Sequence, residues 1–127
     1  MQPIQIMPIY GTNTSDIVSL YHHSRNSNTF QELHESRVIA YNNNWITLFD
    51  ASDYPTPVLK KTIGKKGKNF IYKTEKNNLL SIWYDLQTNV IEFWGDNYKN
   101  RITAMTQIQT NLNKNLQDYN KKLINNN

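Results

Sequence analysis

Ile63-Gly64-Lys65-Lys66-Gly67-Lys68 is the stretch from which the rest of the chain can be read. Two glycines separated by two residues permit dihedrals and a close backbone approach that side chains would block. Upstream, Thr56-Pro57 supplies an N-cap and a proline at the first helical position. Val58, Leu59, Thr62 and Ile63 then share one face, so a short helix is expected to end at Gly64. Downstream, residues 68 to 76 read as a second helix with Phe70, Ile71 and Thr74 turned inward. The loop therefore joins the end of one helix to the start of the next, where free N–H groups point outward and favour phosphate. Lys65, Lys66 and Lys68 add charge that would hold a sugar–phosphate backbone, and Lys60 and Lys61 lie on the helix before them.

Working outward, Trp45-Ile46-Thr47-Leu48-Phe49 is β-branched and aromatic and predicts a strand. Two more strands are expected at Leu80 to Asp85 and Val90 to Trp94, separated by Leu86-Gln87-Thr88-Asn89. Gly95-Asp96-Asn97 breaks the sheet and caps a last helix from about Tyr98 to Leu123. The order predicts an α+β fold, a three-stranded antiparallel sheet with helices on one face. Residues 1 to 37 show no sustained period and read as an irregular N-terminal arm, with single helical turns at Asp16 to Tyr21 and Thr29 to Arg37. A weak strand is expected at Arg37-Val38-Ile39-Ala40-Tyr41, so the folded domain is drawn over 38 to 127.

The order from Trp45 to about Leu112, with Ile-Gly-x-x-Gly between the first two helices, resembles a type I KH (K homology) domain. Four further features carry the resemblance: the helix ending at Ile63, Phe70 three residues after Gly67, the Val-x-x-x-Trp-Gly strand end at Gly95, and Ala104 followed by Ile108. The chain departs from the family pattern at Lys73, where an aliphatic residue is usual, and at Asn77-Asn78, which replaces a Thr-Gly turn. The resemblance implies that the glycine loop clamps single-stranded nucleic acid while bases lie in an apolar groove between two helices and a strand. The RNA-binding residues it implies are Lys60, Lys61, Ile63, Gly64, Lys65, Lys66, Gly67, Lys68, Asn69, Ile71 and Ile82. Single-stranded DNA would use the same groove.

The resemblance implies that the residues two and four before Gly95, Phe93 and Ile91, lie in the core, with Glu92 and Trp94 facing away. Alternation then turns Ile82 and Tyr84 inward and Ser81, Trp83 and Asp85 to the other face. With Ile46 and Leu48 taken as core, Trp45 joins that face. Three exposed tryptophans signal a covered surface: either the arm, through Ile4, Ile6, Ile9 and Tyr10, or a protein partner, or stacked bases. Ile102, Met105, Leu112, Leu116, Tyr119 and Leu123 follow a heptad stripe, which suggests a homodimer or partner contact along the last helix. Trp45, Trp83, Trp94, Leu112, Leu116, Tyr119 and Leu123 are thus the expected partner-binding residues.

Charge is unevenly spread. Residues 1 to 53 carry two basic residues, Arg25 and Arg37, against five acidic ones; residues 54 to 127 carry twelve against five, a net +7. Such localisation suggests a polyanion footprint. Cysteine is absent, which removes disulfides and thiolate chemistry. His22, His23 and His34 lie in the arm without ligand spacing, and no Ser-His-Asp set, P-loop lysine–serine pair or HExxH appears, so no catalysis, metal or cofactor is expected. No apolar run approaches the ~18 residues of a membrane span, and a cytoplasmic location is expected. Abundant Asn, Ile, Lys and Tyr point to an A/T-biased genome such as that of a large DNA virus. The expected function is single-stranded RNA binding; the alternative is an interaction subunit of a ribonucleoprotein, translation or assembly complex, docking through the tryptophan face and the long helix.

Overall fold

The computed structural model describes residues 14–125; Ile4, Ile6, Ile9 and Tyr10 lie outside the described residues. Two helices come first, α1 (Thr14–Arg25) and α2 (Phe30–Asn42), followed by β1 (Ile46–Asp50) and α3 (Thr56–Ile63). A single 3-10 turn (Lys65–Gly67) leads into α4 (Lys68–Lys76), and β2 (Ser81–Asp85), β3 (Val90–Trp94) and α5 (Tyr98–Asn125) complete the chain. The three strands form one antiparallel sheet in the order β1-β3-β2.

The expected α+β class and antiparallel sheet are present, but helices cover both faces rather than one. On one face α3, α4 and α5 enclose Val58, Leu59, Phe70, Ile82, Ile91, Phe93, Ala104, Ile108 and Leu112. On the other, α1 and α2 close over Trp45, Ile46 and Trp94 with Ile17, Leu20 and Ala40. The described part of the stretch expected to be irregular, from Thr14 on, therefore forms a helical hairpin with the residues that follow it, and the boundary drawn at residue 38 falls inside α2. Thr29 caps α2 by accepting the Glu32 amide (3.1 Å), while the Glu32 carboxylate accepts the Asn28 amide (3.0 Å). Arg37 to Tyr41, expected as a strand, is the last part of this helix. The β-branched Val38 and Ile39 suit a strand locally, but the capped start and the packing of Ala40 override that preference.

The phase of β1 also differs from expectation. Thr47 pairs with Phe93 and Phe49 with Ile91, so these two face α3–α5, whereas Ile46 opposite Trp94 and Leu48 opposite Glu92 face the hairpin. The phases of β2 and β3 agree with the sequence reading.

A fully buried carboxylate fastens the hairpin to the sheet. Glu92 receives Arg25 from α1 (2.6 Å), Arg37 from α2 (2.8 Å) and the Trp94 indole N–H (2.9 Å). Both basic residues of the first half of the chain thus meet this glutamate, and Arg37 also lies 3.7 Å from Asp85. At the opposite end of the sheet, Arg101 is also buried, and donates to Thr47 Oγ1 (2.9 Å) and to the Asn44 and Gly95 carbonyls (2.6 Å each). A Cβ on Gly95 would lie 2.9 Å from a terminal methyl of Leu79, which would have to turn aside.

Candidate nucleic-acid interface

Gly64 ends α3 with φ +85° and ψ 162°, a conformation open essentially to glycine alone. Its amide still donates to the Lys60 carbonyl (3.0 Å), and its own carbonyl accepts from Gly67 N (3.0 Å). Lys66 (φ 56°) and Gly67 (φ 74°) are both left-handed, and Gly67 is the N-cap of α4. Two consecutive left-handed residues reverse the chain sharply enough to set the start of α4 beside the end of α3. The Asn69 side-chain amide then lies against the Thr62 and Lys61 carbonyls (3.3 and 3.5 Å), so it closes the end of α3 rather than facing a ligand.

A groove of about 1030 Å³ begins at this loop and runs between α3, α4 and β2. Thr56, Leu59, Lys60 and Ile63 line one wall, and Phe70, Ile71, Thr74 and Glu75 the other. Leu79 to Tyr84 form the strand side, while Lys66 and Gly67 stand at the loop end. The lining is mostly apolar, with lysines at the loop end and Glu75 as its sole carboxylate. Ile71 is half-exposed because it faces this groove, not the interior as expected from helical phasing. A second depression of about 460 Å³ is formed by Lys65, Lys66, Lys68 and Ile71 on the outside of the loop. Among the described residues, none of Lys60, Lys61, Lys65, Lys66 and Lys68 forms an ion pair. Near the far end, burial and then Asp85 raise the Tyr84 phenol above its ordinary pKa, so it stays neutral and donates to Asn89 Oδ1 (2.7 Å).

Of the residues predicted from sequence, Lys60, Ile63, Lys66, Gly67, Ile71 and Ile82 come together on the groove. Lys65 and Lys68 lie just outside it; Lys61, Gly64 and Asn69 line neither concavity. Leu59, Thr74, Glu75 and Leu79 were not singled out as groove residues. The signal for Leu59 and Thr74 was present: steps of three or four residues back from Ile63 reach Lys60, Leu59 and Thr56, and forward from Gly67 reach Phe70, Ile71 and Thr74. Tyr21, from α1, also reaches the groove, and no local pattern could have shown it.

The expected partner surface is largely occupied by the chain itself. Trp45 and Trp94 are buried under the hairpin, and Leu112 is buried in the core. Leu116 and Tyr119 pack against that core, leaving Leu123 and Trp83 exposed. On α5 the buried line is Arg101, Ala104, Ile108 and Leu112, a stripe turned toward the sheet and α3.

The histidines His22, His23 and His34 are exposed. Among the described residues no cluster of three or more His, Cys, Asp or Glu could hold a metal ion, and no helix is long and apolar enough to cross a membrane. Comparison with family models, curated proteins and solved structures finds no match to this chain.

Proposed function

We propose that the region from Ile46 through α5 is a type I KH-like domain that binds single-stranded RNA. The observation that carries this reading is the 1030 Å³ groove with the Gly64–Gly67 loop at its mouth. Its apolar floor suits bases, and the unpaired lysines beside it suit phosphates. The element order, strand–helix–glycine loop–helix–strand–strand–helix, further supports the resemblance. In this reading Lys65, Lys66 and Lys68 hold the backbone, and Ile63, Ile71 and Ile82 contact bases. Lysine pairing with phosphate is chiefly coulombic, so the clamp supplies affinity and position, and the groove supplies what base preference there is.

The test exploits the exposure of the loop lysines. Lys65→Asp/Lys66→Asp should leave the circular dichroism spectrum and the urea midpoint unchanged. Binding to a fluorescein-labelled random eight-nucleotide RNA pool, read by anisotropy at 100 mM salt, should weaken by roughly ten- to a hundred-fold. Equal affinity for both proteins, or no measurable binding by either, would sink the reading. The same pool made as DNA tells whether the 2′-hydroxyl is read.

A further inference from the structure

We propose that Trp83 is a base-stacking subsite that carries a bound single strand out of the groove and over the open edge of β2. The proposal rests on the single-strand reading above and adds a position that the glycine loop and groove do not include.

Trp83 differs from the other two tryptophans in exposure: it is 44% exposed, against 2% for Trp45 and 0% for Trp94. It stands opposite Glu92 on β2, one of the two outer strands of the β1-β3-β2 sheet. The indole thus sits where the hairpin-covered face meets an unpaired sheet edge. It borders two concavities at once, the large groove and a depression of about 370 Å³ toward α1 and α2. Tyr84 and Leu86 line both as well, so the two spaces meet at this edge.

The ring is held in place before any ligand arrives. The Arg25 guanidinium lies 4.7 Å from its centroid, and that guanidinium is itself fixed by Glu92 (2.6 Å) and by the Tyr21 ring (5.3 Å). A cation on one face of an indole leaves the other as the surface a planar group can cover. An aromatic fixed in this way loses little side-chain entropy when a base stacks on it. Stacking is also tolerant of base identity, since every base presents a π-face.

Charge favours nucleic acid as the occupant. The groove leading to Trp83 starts among unpaired lysines, and the carboxylate of the smaller depression, Asp85, is engaged by Thr88 (3.0 Å from its amide) and Arg37 (3.7 Å). A protein partner would need an interface of about 800 Å² per side, far more than one half-exposed indole and its leucine neighbour provide.

Trp83 is also its own reporter, because the other two indoles are enclosed. Oligouridylates and oligoadenylates of four and eight nucleotides would be titrated into the full chain, read by tryptophan emission and by anisotropy of a labelled copy. The eight-nucleotide strands should quench emission and bind about ten-fold more tightly than the four-nucleotide ones. Trp83→Leu should abolish the quench and the gain with length, while Trp83→Phe keeps part of that gain. Loop-dependent binding with no quench and no effect of Trp83→Leu would overturn this subsite and leave the groove reading standing. Absence of binding to any strand would remove both. Protection of Trp83 from acrylamide that rises with protein concentration alone, alongside a dimer in sedimentation, would assign the indole to a second copy and overturn the proposal.

Discussion

Gly64 and Gly67 differ in what they require. Gly64 combines a backbone conformation reserved for glycine with a tight neighbour, since a Cβ there would lie 3.0 Å from the Asn69 backbone nitrogen. Gly67 is left-handed but faces open space. Gly64→Ala should therefore cost about 2–3 kcal/mol of stability and Gly67→Ala about 1 kcal/mol, measured by urea denaturation. A reversed order would mean that the loop relaxes freely at its first glycine. Elsewhere asparagine fills the left-handed role: Asn44, Asn78 and Asn89 have φ near 60° at the turns before β1, before β2 and between β2 and β3. Asn77-Asn78 thus makes the turn before β2, with Asn78 taking the left-handed conformation and the Asn77 amide donating to the Lys73 carbonyl (2.9 Å).

At the level of elements, the hairpin of α1 and α2 is fastened by one carboxylate. Fully buried Glu92 accepts from two guanidiniums, so removing its charge leaves Arg25 without a carboxylate and Arg37 with only the longer pair to Asp85 (3.7 Å). Glu92→Gln should cost about 3 kcal/mol or more, and should redden tryptophan emission as Trp45 and Trp94 lose their cover. A loss below about 1 kcal/mol would mean that both arginines swing to solvent and apolar contact alone holds the hairpin. The last helix is anchored differently. Asn113 accepts from Tyr54 (2.6 Å) and Asn115 donates to Thr62 (2.9 Å), which ties its middle to α3 and the segment before it. Only its last turns project, with Leu123 and Ile124 exposed.

Over the whole molecule, the charge asymmetry acquires a location. The first half's arginines are held in ion pairs with Glu92, while among the described residues Lys60, Lys61, Lys65, Lys66 and Lys68, at and before the loop, form no ion pair. If about four lysines release counterions from a single strand, log Kd should rise with log salt at a slope near 3. The double loop variant should lower that slope by about 1.4, the share of two lysines. Titrations from 50 to 300 mM salt would measure it; a slope near zero would refute phosphate contact and point to an apolar ligand in the groove.

Local chemistry was enough to determine α3, the glycine turn, α4 and the two later strands. Proline, glycine and alternation act within a few residues, and the groove follows because two helices joined by so short a turn must lie side by side. The core positions of Phe93 and Ile91 came instead from the resemblance, by counting back from Gly95. The hairpin, the phase of β1 and the burial of Trp45, Trp94 and Glu92 were decided only in three dimensions. A glutamate between apolar neighbours on a strand reads as solvent-facing until two arginines, 67 and 55 residues earlier in the chain, arrive to neutralise it. Partners that distant leave no periodic trace, because burial of a charge depends on what packs against it and not on its own sequence neighbours.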